Sequence, residues 1–252
     1  MKNAQSCIWS IITKLLMPIR RGIMKYKGII FDFNGTLFFD SEKHLEAWRE
    51  FSKRIRKTAF TDGEMREHMF GRTNKDIIAY AAGRELSDEV TEKLAAEKEA
   101  LYRDMCRNDK ENLKLAAGAA ELLDFLKNNN IPRTIATMSD KANVDFYIES
   151  FNLDRWFDID KIVYSDGTIK GKPAPDIYLI AAAKLNLQPK ECIVTEDALS
   201  GIEAAKAAGA GKIIAIASMD EKKVYENIPY VDTIIKDFNE FDRNLFEYTV
   251  NV

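Results

Sequence analysis

The sequence predicts an α/β fold in which a parallel sheet is wound by crossover helices and interrupted, after its first strand, by an all-helical insertion. Three observations predict it. Short apolar runs of buried-strand type recur from Gly28 onward, helical segments alternate with them from Gly118, and no strand signal breaks 40–112. A length of 252 residues allows one to two domains. The assignment is a core of 24–39 and 113–252, with the helical block 40–112 inserted as a lid.

Residues 1–23 read as an extension outside this core, with Met24 as an alternative start. Their apolar stretch, Cys7 to Ile19, is broken by Lys14 and followed by Arg20 and Arg21. It falls short of the ~20 apolar residues of a membrane span and lacks a small-residue cleavage site. A membrane-touching amphipathic helix is the second reading. The first strand is Gly28 to Phe31, followed by Asp32-Phe-Asn-Gly-Thr36. A helix follows over Ser41 to Lys57, with Ser41 as its cap and Leu45, Trp48 and Phe51 as its packing face. Further helices are predicted over Thr73 to Ala82 and Ser87 to Arg107. The core resumes with helix Gly118 to Asn128, strand Arg133 to Thr137, helix Lys141 to Phe151 and strand Lys161 to Tyr164. Helix Ala174 to Leu185, strand Cys192 to Thr195, helix Ser200 to Ala208 and strand Lys212 to Ile216 continue the alternation. A strand at Thr233 to Ile235 and a helix near Phe238 to Tyr248 close the fold.

Composition narrows the chemistry. Hydrophobic residues at 46% and charged residues at 31% mark an ordinary globular chain rather than a disordered one. Lys and Arg total 37 against 40 Asp and Glu, so nothing in the net charge suggests a nucleic-acid partner. Three scattered cysteines provide neither a disulfide framework nor a zinc site, and a reducing cytoplasm is expected. Only two histidines occur, His44 and His68, which directs the search to carboxylates, lysines and hydroxyls. No stable membrane insertion is expected, and the chain is expected to be a monomer or weak dimer.

The predicted strand ends carry those groups. Strand one ends at Asp32, the next at Thr137, and a later one at Glu196-Asp197, while Lys172 sits in Gly171-Lys-Pro-Ala-Pro175 before a helix. In a parallel sheet these ends share one edge, where open α/β sheets bind ligands. Alone, an Asp after a strand or a Gly-Lys-Pro is a turn. Together, a nucleophile, a hydroxyl, a cation and an acidic pair form a phosphoryl-transfer inventory. Asp32 can attack phosphorus, Thr137 can donate to a phosphoryl oxygen, and Lys172 can offset developing charge. Glu196 and Asp197 offer hard oxygen ligands suited to Mg²⁺.

The strings Asp-Phe-Asn-Gly-Thr-Leu (32–37), Ile-Ala-Thr-Met-Ser (135–139), Gly-Lys-Pro-Ala-Pro-Asp (171–176) and Thr-Glu-Asp-Ala-Leu-Ser-Gly (195–201) resemble the four motifs of the haloacid dehalogenase-like (HAD) hydrolases. The likeness runs from Lys25 to nearly the end. It implies a Rossmann-like core with an inserted helical cap, similar to the subgroup of beta-phosphoglucomutase and sugar-phosphate phosphatases. It further implies Asp32 as nucleophile through an aspartyl-phosphate and Thr137 and Lys172 as phosphate holders. Mg²⁺ would be held by Asp32, the carbonyl of Asn34 and Asp197, with Glu196 assisting. The expected substrate is a small phosphorylated metabolite.

One position departs from the pattern. At Asn34 family phosphatases and mutases carry a second Asp that shuttles a proton, which an amide does not do near neutral pH. General acid–base help is worth ~10²–10⁴ in rate. Three readings compete. The first is a hydrolase for a substrate with a good leaving group, or with a cap residue handling the proton. The second is a phosphate-binding or regulatory protein with impaired turnover. The third is slow deamidation of Asn34-Gly35 to an acid. A mutase-like phosphotransferase is a further alternative; the mutase's cap arginine is Asn74 here. The acidic pair speaks against dehalogenation, which proceeds without Mg²⁺. For substrate contacts the resemblance implies His44 on the cap linker and the loop of Gly71 and Arg72, with Lys98 a fainter candidate. Trp48 and Phe51 are expected to pack the cap. Hinges are expected near Phe39-Asp40 and Asn112.

Overall fold

The computed structural model describes residues 26–69, 72–218 and 222–246. Five parallel strands form one sheet: β1 (Gly28–Phe31), β2 (Arg133–Ile135), β3 (Cys192–Glu196), β4 (Lys212–Ile216) and β5 (Thr233–Ile235), in the order β2-β1-β3-β4-β5. Both faces are covered, so the strands read as continuous apolar runs. Side-chain alternation divides them cleanly between the two faces. Ile29, Phe31, Ile193, Ile214 and Ile216 enter one cluster, packed by α5 (Ala119–Asn128) and α6 (Lys141–Phe151). Ile30, Val194, Ile213 and Ala215 enter the other, beneath α7 (Asp176–Lys184) and α8 (Leu199–Ala208). Burying each such side chain contributes about 1.5–3 kcal/mol.

The chain steps from β1 to β2 on one side and returns to β3 on the other, so strand order reverses at β1. That reversal opens a crevice at the carboxyl edge. Phe31 pairs with Ile135 and with Thr195, which sets the residues after all three strands side by side.

Between β1 and β2 the structure inserts α1 (Ser41–Arg56), α2 (Asp62–His68), α3 (Asn74–Ala82) and α4 (Asp88–Asn108). These helices bury a core of their own that includes Trp48, Phe51, Met65, Ile77 and Ile78. Trp48 and Phe51 pack as expected. Helix α2 escaped the sequence reading although Thr61 and Glu64 form a capping box that marks its start. Thr73 and Ser87 cap α3 and α4. Among the described residues no helix is long and apolar enough to cross a membrane.

Three expectations are corrected. The strand at Lys161 to Tyr164 is a single bridge, Ala136 to Val163, preceded by a 3-10 turn at Ile159–Lys161. The turn engages Ile162 N with Ile159 O at 3.1 Å and the Thr134 hydroxyl donates to Lys161 O at 2.7 Å, so only Val163 is left to pair with the sheet. As far as Phe246 the predicted C-terminal helix is instead two 3-10 turns, Phe238–Glu240 and Arg243–Leu245, and its last positions, to Tyr248, lie outside the described residues. The Asp237 and Asp242 carboxylates accept from the backbone two residues on, a local bond that competes with helix. Ser41 does not cap α1. Asp40 precedes the helix, and its side chain makes no cap bond because it faces the strand end instead. The proposed extension 1–23 and Gly71 lie outside the described residues.

Candidate active site

The crevice brings Asp32, Lys172, Glu196 and Asp197 together. Asp32 follows β1, and its backbone N–H donates to Thr195 O at 3.0 Å, locking the strand ends in step. Lys172 Nζ donates to Asp32 Oδ1 and to Glu196 Oε2, both at 2.6 Å. Glu196 is buried, and its second oxygen accepts the backbone N–H groups of Asp197 and Ala198 at 3.2 and 3.0 Å. Tyr178 donates to Oε2 at 2.5 Å. With these four donors around it, Glu196 is a brace for Lys172 and the turn after β3. Asp197 Oδ1 accepts from Thr36 at 3.1 Å.

Glycines make room for these acids. Gly35, at φ +75°, approaches Asp197 so closely that a Cβ would fall 2.1 Å from Oδ2. At Gly201 a Cβ would meet Glu196 Oε2 at 2.0 Å. Both spacings lie far inside van der Waals contact. A side chain at either position would displace a carboxylate, and the sequence holds glycine at both.

Three carboxylates face one buried cation, and the electrostatics show the imbalance. Burial and the Glu196 carboxylate push Asp32 up to about 7, against the pull of Lys172. Asp197 is raised well above the carboxylate range by burial, Glu196 and Asp32. Burial opposes the charge on Lys172, but Asp32 and Glu196 outweigh it and keep it protonated. One oxygen from each of Asp32, Glu196 and Asp197 lies within 4.8 Å of the others. An all-oxygen donor set with surplus negative charge fits a hard divalent cation such as Mg²⁺.

A pH prediction follows for protein stripped of metal. Unfolded Asp32 releases its proton near 3.8, whereas the folded group holds it to about 7. Between those values the folded state binds more protons, so stability falls as pH rises, and Asp197 acts in the same direction. Thermal melting in EDTA is expected to shift downward between about pH 5 and pH 8, and saturating Mg²⁺ should flatten that slope. A melting temperature that climbs over this window in EDTA contradicts the electrostatic picture.

Asn34 faces a second, polar cluster. Its Nδ2 donates to Asp40 Oδ2 at 2.6 Å and to the Tyr147 hydroxyl at 2.8 Å. Its Oδ1 accepts from Ser139 at 2.7 Å and from Thr137 at 3.3 Å. Asp40 is buried and also accepts from Gly35 N at 3.0 Å, from Tyr102, and across 3.4 Å from His44 Nε2. Burial pushes its carboxyl up, but the bonds from His44, Tyr102 and Asn34 prevail and hold it below the usual range. The Gly35 N–H that would attack the Asn34 side chain in deamidation is shared between Asp40 Oδ1 and Phe38 O.

The insert reaches this cluster from above. His44 stacks on Tyr102 at 3.9 Å, and Lys98 Nζ lies 2.9 Å from its Nδ1. Lys98 also donates to Glu99 at 2.9 Å. Glu99 accepts from Asn74 at 2.9 Å and from core residue Asn143 at 2.8 Å, while Arg103 reaches Asn143 Oδ1 at 2.7 Å. Burial raises Glu99, yet Lys98 and His44 overcome it and bring it to about 2. Arg72 is exposed, and its charge helps hold down Asp76.

The structure places Asp32, Asn34, Thr137, Lys172, Glu196 and Asp197, the residues singled out in the sequence, at one edge. Sequence reasoning missed Asp40, Ser139, Tyr147, Tyr178 and the Glu99–Asn143 link. Ser139 is the last residue of Ile-Ala-Thr-Met-Ser (135–139), Asp40 reads as linker, and the tyrosines look like core residues until their hydroxyls find partners.

Comparison with known proteins agrees with this geometry. A solved structure of an HAD hydrolase, family IA, variant 3, from Entamoeba histolytica is 46% identical, with a TM-score of 0.83 over 87% of this chain and 96% of that one. The phosphorylated carbohydrates phosphatase of Thermotoga maritima is 29% identical over 75% of this chain and 85% of its own length. Beta-phosphoglucomutase of Bacillus subtilis is 32% identical, covering 73% of this chain and 80% of that protein. With the four motifs at one sheet edge, an inserted helical block, and a match to the family pattern over residues 26–209, this chain belongs to the haloacid dehalogenase-like hydrolases.

Proposed function

We propose that this chain is a Mg²⁺-dependent phosphohydrolase of small phosphorylated metabolites that works through an aspartyl-phosphate on Asp32. The observation that carries the reading is the ion pair of Asp32 with Lys172, buried beside Asp197 at the strand-order reversal. Asp32 attacks phosphorus, and Lys172 offsets the charge that builds on the phosphoryl oxygens. Thr137, whose bond to Asn34 Oδ1 is the longer at 3.3 Å, would turn its hydroxyl hydrogen to one of those oxygens, while Ser139 keeps its bond to the amide. Asp32, Asp197 and the carbonyl of Asn34 would hold Mg²⁺, with Glu196 bracing Lys172 behind them. The ion would supply Lewis-acid polarisation of the phosphoryl group.

His44, Gly71 and Arg72 are assigned to the substrate side. Relatives named for phosphorylated carbohydrates and for beta-phosphoglucomutase support a phosphorylated small molecule as the ligand. Asn74 bonds Glu99 rather than standing free, which favours hydrolysis over the mutase reading, where a second phosphate needs a cation. The alternative of a phosphate-binding protein with little turnover rests on Asn34 alone. Free buried thiols at Cys106 and Cys192 suit a reducing cytoplasm.

The test is phosphate release from an aryl phosphate with Mg²⁺ and with EDTA, in parallel with Asp32→Asn. Release that requires both the metal and Asp32 is expected. Equal rates in the two proteins overturn the proposal.

A further inference from the structure

The amide at position 34 is built into its surroundings. Its NH₂ group is spent on Asp40 Oδ2 and Tyr147, and its carbonyl oxygen on Ser139 and Thr137. Asp40 needs that donor. It is a buried carboxylate whose oxygens are fed by Asn34, Gly35 N, Tyr102 and His44. A carboxylate at 34 would set an acceptor against the Asp40 acceptor and remove the NH₂ donor that both Asp40 and Tyr147 use. The amide is thus matched to its neighbour, and among the described groups bonded to Asn34 the others are hydroxyls.

We propose that Asp40 is a positioning residue that fixes Asn34 as an amide, and that the site therefore takes phosphoryl donors whose leaving group departs as a stable anion, the acyl phosphates and related mixed anhydrides. The inference rests on the reading of Asp32 as phosphoryl acceptor. In the first step the Asp32–phosphorus bond forms and the bond from phosphorus to the acyl oxygen breaks. The electron pair leaves on a carboxylate, whose acid has a pKa of about 4, so no proton is needed. A sugar alkoxide leaving group, with a parent acid nearer the ~16 of water, needs one. In the second step water oxygen bonds phosphorus, the pair returns to Asp32, and the water proton ends on the released phosphate.

The experiment compares kcat/KM for acetyl phosphate and glucose 6-phosphate, with Mg²⁺, in three proteins: the parent, Asn34→Asp, and the exchanged double variant Asn34→Asp with Asp40→Asn. The parent is expected to favour acetyl phosphate by ~10²–10⁴, the span that general acid help covers. The exchange keeps one amide and one carboxylate in hydrogen-bond contact but moves the acid to 34. It is expected to gain about 10²-fold in kcat on glucose 6-phosphate, at least tenfold more than Asn34→Asp alone, with KM little changed. A purely structural role for Asp40 would not produce that gain. Parity between the two donors in the parent, which needs no variant to fold, overturns the inference alone. A single variant that matches the double one also overturns it. Absence of Mg²⁺-dependent release from either donor overturns the phosphohydrolase reading and this inference with it.

Discussion

Asp32→Asn is expected to lower kcat for phosphate release by at least about 10⁴-fold, as loss of a covalent nucleophile does elsewhere. The amide keeps the shape of the side chain but is not a competent nucleophile toward phosphorus. Thermal stability supplies the control. Asp32 is a buried acid crowded by Glu196, with its carboxyl pushed up to about 7, so removing its charge relieves repulsion near neutral pH. The variant should melt no lower than its parent at pH 8 without metal and lose the extra stability that Mg²⁺ confers. Residual activity within tenfold of the parent would place the chemistry elsewhere.

Lys172→Met is expected to produce the largest loss of stability of any single change at the site. The Lys172 side chain is only 9% exposed, and its ammonium is bonded to two buried carboxylates. Breaking a buried pair by removing one partner typically costs 3–5 kcal/mol, because the other charge stays uncompensated. At about 2–4 °C per kcal/mol for a chain of this size, the melting temperature should fall by roughly 6–20 °C in EDTA. Millimolar Mg²⁺ should recover part of that fall by supplying positive charge to the same carboxylates. Activity should stay low under both conditions if Lys172 is, as proposed, the cation that offsets charge on the phosphoryl oxygens. An unchanged melting curve would mean that the acids are solvated and the pocket is loose.

The sheet and its chemical edge were legible because they are written in local runs. Gly28 to Phe31 is apolar for its whole length and stops at an acid, and the same grammar repeats at Cys192 to Glu196. Strand pairing then aligns the ends without further information. The errors lie where a neighbour decides. Val163 looks like part of a strand, but the 3-10 turn before it and the Thr134 hydroxyl take the backbone groups of its neighbours. Phe238 to Tyr248 has helical spacing, but Asp237 and Asp242 bond their own backbone first. The cluster around Asn34 was illegible for a different reason. Asp40, Tyr102, Ser139 and Tyr147 come from a linker, the insert and the core, and no sequence pattern joins a hydroxyl on one helix to a carboxylate between two domains. Asn34 stood out as a departure from the family, whereas its match to Asp40 needed coordinates.

Asn143 has a consequence for access. It is gripped from the insert by Glu99 and by Arg103, two bonds that each involve a charged partner. Bonds of that kind contribute about 1.5–3 kcal/mol apiece, so parting the insert from the core at this point costs roughly 3–6 kcal/mol before Tyr102 is counted. If ligands enter by that parting, fewer than about one molecule in a hundred is receptive at any moment, and apparent affinity is diluted by the same fraction. Asn143→Ala should therefore lower KM while weakening the shelter over the reacting groups. The clasp trades eagerness to bind for a dry interior once shut.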